Sequence, residues 1–396
     1  MRTDLHLLFF VAFASLKKNR FSFLLMLLAV IVGVGAQIAN IANLEGYGEE
    51  LFEKGVVRST GHILVRSADG GLIENAAQKA EQLSAERGIR EVTYRLNHAG
   101  VVLVKGRPLP SRVIGLDPLR EEKATSFCSR VTLGRCLRRA EQDAVMLGAR
   151  LAELAQIKVN QRIKLIIPYQ DFGEVKLSSS LYRVVGIVGG GGGFEEDEDV
   201  FVTAELLTAI LDRADTASAL LVFALNQSDL QKQALDIEAH LAGAIAQPWW
   251  KANSFVSQIV KGNRRITAIS IAMVAVAVLL PILALLYVSV LHQKKQIAVL
   301  VALGLGRQSI FGIYALKAVI VGLLGIGPGI GLGLALSRYF AAYPIFSFGG
   351  FVIQPVLDAW AISSPALSIF IAVVCAGLIP ASLAARANPA NALKEI

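Results

Sequence analysis

Apolar and polar positions along this chain fall into two regimes, with one long apolar run near the start and three in the last third. Roughly Phe21–Asn43, Ile266–Leu291, Ile310–Tyr339 and Ser363–Ala385 are each long enough to cross about 30 Å of hydrocarbon as a helix. Upstream, Leu5–Leu16 (LHLLFFVAFASL) is apolar but too short to span. It predicts a helix lying along the inner surface, ahead of a basic stop at Lys17, Lys18 and Arg20. A cleaved signal peptide is the alternative, but the run to Asn43 is long for one and three more spans follow.

Between the first two spans the periodicity changes. Gly61–Ser67 alternates like a strand, and Asn75–Glu86 has a helical pattern that stops at Gly88. Val101–Val104 and Arg112–Leu116 predict strands joined by a GRPLP turn, and Ala144–Ala155 predicts a helix. Arg162–Ile167, Leu181–Val188 and Leu220–Leu225 predict strands, and Leu230–Ala242 a helix. The fold class expected is therefore an α-helical membrane protein with four transmembrane helices. It carries a large extracytoplasmic α/β domain over 45–262, interrupted by a strand-rich lobe at about 117–217.

One connector breaks the pattern. His292–Ile310 (HQKKQIAVLVALGLGRQSI) has Lys294 and Lys295 at one end, Arg307 at the other, and apolar Ile297, Leu300, Val301 and Leu303 between them. That spacing mostly fits one face of a helix, whereas a loop that only reversed the chain would be short and polar. The expected order is an interfacial segment 1–20, spans at 21–44, 263–291, 310–340 and 363–385, the connector helix 292–309, an outer loop 341–362 and a cytoplasmic tail 386–396.

Composition agrees: 54% of residues are hydrophobic and 18% charged, with a mean hydropathy of +0.55, above the soluble range. The net charge of +8 does not call for nucleic acid. Basic groups at Lys17–Arg20, in the connector, and at Arg386 and Lys394 fall on one side of a four-span chain, as the positive-inside rule requires. Termini and connector are then cytoplasmic and the large domain lies outside. Lys261, Arg264 and Arg265 run against this and are read as the end of an interfacial helix on the outer surface.

Candidate chemistry is sparse. The chain has no GxxxxGKS/T phosphate loop, no HExxH, no CxxC and no nucleophile elbow, so it carries no ATPase, catalytic or metal motif of its own. Gly189–Gly193 predict a hairpin tip, and Glu195–Asp199 a solvated acidic loop rather than a Ca²⁺ site. Cys128 and Cys136, eight apart, either pair outside the cell or stay as two thiols. Gly325, Gly329 and Gly333 recur every four residues, with Gly327 and Gly331 on a second register, and Gly33 and Gly35 stand in the first span. Such glycines let membrane helices pack closely, within one subunit or between two copies. Lys317, about two turns into the third span, is expected to snorkel to inner headgroups or to the connector, or else to pair across a subunit interface.

Several segments together resemble the permease subunits of the MacB/FtsX/LolC–LolE class of ABC systems, essentially end to end. SLKKNRFSFLLMLLAVIVGVG is similar to the family's basic stop and first span. GRCLRRAEQDAVMLGARLAELAQIKVNQRIKL and EDEDVFVTAELLTAIL are similar to its outer domain. QIAVLVALGLGRQSIFGIYALKAVIVGLLGIGPGIGLGLAL resembles its connector and third span, and GLIPASLAARANPANAL its ending.

The resemblance implies a cytoplasmic ATPase dimer that binds the ATP, with no cofactor on this chain. It further implies a second permease copy and contact with a periplasmic adaptor or lipoprotein carrier. The connector, Lys294 to Arg307 with Gly304 and Gln296 included, would couple to the ATPase. Ile297, Leu300 and Leu303 would form the docking face, and Lys294, Lys295 and Arg307 a rim against it or against membrane lipids. Gln296 and Lys317 depart from positions that are commonly acidic in the family. The function implied is mechanical transmission for export or extraction of a hydrophobic molecule, peptide or lipoprotein. A regulatory subunit acting on a partner such as a cell-wall hydrolase is the alternative.

Overall fold

The computed structural model describes residues 5–104, 106–171, 174–189, 195–302, 305–345, 347–348 and 351–385. The chain opens with helix α1 (Leu5–Lys18) and continues into the long α2 (Arg20–Phe52), which ends in a π-helical turn at Glu53–Val57. Two compact units follow from the contacts: Glu49–Lys261 with Phe346–Val352 forms one, and the remaining helical segments form the other.

The first unit is built on β1 (Ile63–Ser67), β2 (Ile73–Glu74), α3 (Ala76–Ser84), β3 (Ile89–Val104), β4 (Arg107–Leu116), α4 (Pro118–Thr125), β5 (Val131–Gly134) and β6 (Ala144–Gly148). Next come α5 (Ala149–Ala155), β7 (Arg162–Asp171), β8 (Glu174–Val188), β9 (Val200–Thr203), α6 (Ala204–Ile210), β10 (Thr216–Ala217), β11 (Ala219–Ala224), α7 (Leu230–His240), β12 (Ala244–Pro248) and α8 (Trp249–Ala252). Ten strands form one sheet in the order β12-β1-β11-β3-β4-β9-β6-β8-β5, with β7 joined to β3 and β8. The residues expected to form an inserted lobe thus extend the same sheet, since β4 pairs with β9 and β3 with β7. Their cores remain distinct. Val65, Val92, Leu220 and Val222 pack beneath α3 and α7, whereas Val102, Leu147, Leu165 and Val184 pack with α5 and α6.

Two local expectations are corrected. Ala144–Gly148 is a strand with all five residues buried, and only Ala149–Ala155 is helical. A short, fully buried apolar run has no alternation to separate strand from helix. GRPLP is not a turn as a whole, because Pro108 and Pro110 lie inside β4, opposite Leu103 and Val101. The ladder from β4 to β9 covers only Val113–Leu116, so among the described residues these prolines have no second ladder to break.

The second unit is helical. α9 (Ser254–His292), α10 (Lys294–Ala302), α11 (Arg307–Ala342) and α12 (Ala359–Ala385) complete it, while the short hairpin β13 (Ser347–Phe348) and β14 (Phe351–Val352) belongs to the sheet unit. Among the described residues four helices are long and apolar enough to cross a membrane: Arg20–Val57, Ser254–His292, Arg307–Ala342 and Ala359–Ala385. Lys261, Arg264 and Arg265 belong to α9 itself and not to a separate interfacial helix. The bundle core joins Val30, Val34 and Ile38 of α2 to Ile282 and Leu286 of α9, Val321 of α11, and Ile369 and Val373 of α12.

Candidate functional site

The connector begins at a break. α9 ends at His292 and α10 starts at Lys294, with Gln293 alone between them. The Gln293 amide still donates to the carbonyls of Ser289 and Val290, both at 3.2 Å, and its own carbonyl accepts from Ile297 at 2.9 Å, which starts the new helix. Its side chain turns inward and is 8% exposed. There its Oε1 accepts from Ser15 Oγ of α1 at 3.0 Å, from Tyr314 Oη of α11 at 3.0 Å and from Lys317 Nζ of α11 at 2.9 Å.

An amide oxygen has two lone pairs, so three donors saturate it. Lys317 is 1% exposed, and its Nζ lies 4.0 Å from the Tyr314 ring centroid, a cation–π contact. Of the partners expected for it, Lys317 meets the connector, and its ammonium meets no carboxylate among the described residues. It is held by the residue at the head of the connector. One hinge side chain thereby ties together α1, the α9–α10 break and α11.

The faces of α10 are also redistributed. Ile297, expected on the docking face, is 2% exposed and packs with Val290, Ile310, Tyr314, Ala381 and Ala384, with Val301 beside it. Burial against α11 and α12 takes Ile297 and Val301 out of that stripe, while Leu300 stays half-buried. The outward face consists of Lys294, Lys295, Gln296 and Val299, the last 53% exposed. Lys295, Gln296, Val299 and Leu300 border an open groove of 490 Å³ whose other wall is Phe10, Val11 and Ala14 of α1. Leu303 and Gly304 lie outside the described residues, as do Arg386 and the tail, and Arg307 is exposed at the start of α11.

The glycines serve packing within one chain. A Cβ at Gly325, Gly329 or Gly333 would come within 2.6, 2.8 and 2.7 Å of Val30, Val34 and Ile38 on α2. Gly33 and Gly35 likewise face Val278 and Leu332, at 2.5 and 2.8 Å. Gly327 and Gly331, on the other register, meet nothing within 4 Å.

In the sheet unit Cys128 and Cys136 are joined by a disulfide, with Cα atoms 5.3 Å apart. The acidic run is not a solvated loop throughout. Asp199 is 3% exposed and accepts from Arg112 Nη2 at 2.7 Å, and Glu198 pairs with Arg150 at 2.9 Å. Gly190–Gly193 of the predicted tip lie outside the described residues. Glu121, fully buried, accepts from Arg95 and from Thr93 Oγ1 at 3.0 Å. Burial pushes its carboxyl up, but the Arg95 charge and the hydrogen bonds from Arg95 and Thr93 outweigh burial and hold it below the ordinary carboxylate range.

Gln293, Tyr314 and Ser15 escaped the sequence reading. The one available signal was Tyr314 standing three residues before Lys317, which places both on one helix face.

The model of the MacB-like periplasmic core domain matches residues 23–238, and that of the FtsX-like permease C-terminal region matches residues 267–389. An uncharacterized ABC transporter permease of Methanocaldococcus jannaschii is 21% identical over 97% of this chain and 96% of its own. Macrolide export ATP-binding/permease protein MacB 1 of Yersinia pestis bv. Antiqua is 28% identical over 28% of this chain, and the match spans 16% of that protein's length. Among solved structures, the periplasmic region of MacB from Actinobacillus actinomycetemcomitans aligns with a TM-score of 0.36 at 10% identity, covering 49% of this chain and 92% of that one. The extracellular domain of the noncanonic ABC-type transporter YknZ aligns with a TM-score of 0.35 at 11% identity, covering 47% and 98%. With over half its length matched by the first model and its last spans by the second, the chain belongs to the MacB-like periplasmic core domain family and is an ABC transporter permease of the MacB/FtsX kind.

Proposed function

We propose that the chain couples a separate cytoplasmic ATPase dimer to movement of its extracytoplasmic domain, working beside a second permease copy to export or extract a hydrophobic molecule, peptide or lipoprotein. The observation that carries this reading is the construction of the connector. Its inner face is buried in the bundle, its head is tied to α1 and α11 through Gln293, and its outer face, with the groove beside α1, is open. A short helix fixed to three others moves with them as a rigid element, so a push on its open face is transmitted and not absorbed.

Docking then rests on Val299 and Leu300, which border the groove with Lys295, while Lys294 and Arg307 are exposed. In a complex purified with its ATPase, Val299→Asp or Leu300→Asp lowers both ATPase retention and ATP turnover about tenfold or more, the scale of a charge buried in an interface. Wild-type retention and turnover in both variants would remove the connector from the coupling path.

A further inference from the structure

The sheet unit has a second, differently built face. Strands β1, β11, β3 and β4 are neighbours, and the side chains not covered by α3 and α7 line a cavity of 780 Å³. That volume is in the range of small-molecule sites. Its floor is apolar, made by Leu64, Leu221 and Ile114, and Phe255 and Val256 add an apolar wall. Asn253 Nδ2 donates to the Gly55 carbonyl at 3.0 Å and closes the wall formed where the chain leaves α2 and enters α9.

The charge in the lining is of one sign: Lys54, Arg66, Arg95 and Arg112 line the cavity, and none of the described acidic residues does. Three of these cations are held from behind by carboxylates outside the lining. Lys54 pairs with Glu50 at 2.9 Å, Arg95 with the buried Glu121, and Arg112 with Asp199 at 2.7 Å. Those partners fix where the charged heads stand. Arg66 has no carboxylate partner among the described residues. The register Val65↔Leu220 and Ala219↔Arg95 sets Arg66, Ala219 and Arg95 in one row, so two guanidinium-bearing positions flank one small residue.

We propose that this cavity binds an amphiphilic anion, with a phosphate or carboxylate on the exposed Arg66, beside the Glu121-paired Arg95, and an apolar body laid along Leu64, Leu221 and Phe255. Two features select that chemistry. A planar guanidinium pairs bidentately with either oxyanion, and an apolar floor beside it gains only from a hydrocarbon or aromatic body. Naming the ligand as transported cargo rests on the permease reading above. Binding itself needs no ATPase, so failure of binding and failure of coupling are separate outcomes.

The test uses the full chain in phosphatidylcholine nanodiscs with a diazirine-bearing dodecyl phosphate, and maps photo-crosslinks by mass spectrometry. Saturable labelling is expected in residues 54–66, 218–221 and 253–256. Unlabelled dodecyl phosphate or dodecanoate competes, while dodecyltrimethylammonium and inorganic phosphate do not. Arg66→Ala weakens labelling about tenfold or more, with an unchanged melting temperature as the check on folding, and Arg66→Lys restores part of it. Competition by phosphatidylglycerol placed in the nanodisc assigns the site to a lipid headgroup. Competition by dodecanoate alone assigns it to a soluble amphiphile. Equal competition by the cationic analogue, indifference to Arg66→Ala, or labels confined to helix residues outside 54–57 and 253–256 would each overturn the proposal, the last two being also the outcome expected if a second copy fills the face.

Discussion

Lys317 shows how far single residues can be read. A cation two turns into an apolar span is visible in any sequence, and so is the want of an acid to match it. Its actual partner is not, because Gln293 lies 24 positions earlier and is neutral. The pairing exists only once α11 has folded back beside the α9–α10 break. A hydrogen bond to a charged group contributes roughly 1.5–3 kcal/mol. Lys317→Met and Gln293→Leu are therefore each expected to loosen the connector, seen as broadened spin-label distances between α10 and α12. Combined, they should cost less than the sum of the two, since they remove the same contact. Additive effects would show that the two side chains act separately. Glu121 offers a second residue-scale test. Its folded-state carboxyl titrates below the unfolded one, so the unfolded chain binds more protons as pH falls through that window. The stability this group contributes is complete above about pH 4.3, the ordinary glutamate value, and is lost below it. Glu121→Gln should flatten the acid limb of a melting-temperature profile. At neutral pH it should cost about 3–5 kcal/mol, because the buried ion pair between Glu121 and Arg95 is broken.

At the scale of elements, what could be read depended on whether an element keeps one face wet. The amphipathic α3 repeats clearly and is legible to within two residues, while of β3 only Val101–Val104 is legible and the twelve residues before it are not. β6 shows five consecutive buried residues and was taken for a helix start. α10 is the opposite case: its apolar stripe was legible, but not which neighbour would cover it. Ile297 is covered by the chain's own α11 and α12, so the stripe marks the inner side and the outer side is the more polar one. The glycine ladder on α11 sorts by register in the same way. Gly329→Leu forces a side chain into Val34 and is expected to cost about 1–3 kcal/mol or more of bundle stability. Gly331→Leu, at a position where an added Cβ meets nothing within 4 Å, should leave the melting temperature of the single copy unchanged. A matching loss in both would mean the α2–α11 contact is not what the ladder serves.

For the whole molecule, the class was legible because four apolar runs and one connector leave few arrangements, and the family match covers both halves of the chain. This is a multi-pass inner-membrane permease with an extracytoplasmic domain. The continuity of one sheet across the supposed insertion was not legible, since long-range strand partners leave no periodic mark. Sidedness can be checked directly. In a Cys375→Ser background, a cysteine at exposed Lys232 should react with an impermeant maleimide in intact cells, and one at exposed Gln296 only after the membrane is opened. The reverse pattern would invert the topology. The Cys128–Cys136 bond then sets an order of events in the life of the chain. Oxidants that forge such bonds work outside the cytosol, so the segment around 127–137 cannot be finished before it has been threaded across the bilayer. A copy whose head is trapped on the wrong side would carry two reduced thiols, and a gel shift with a thiol-reactive polymer would count misinserted molecules one by one.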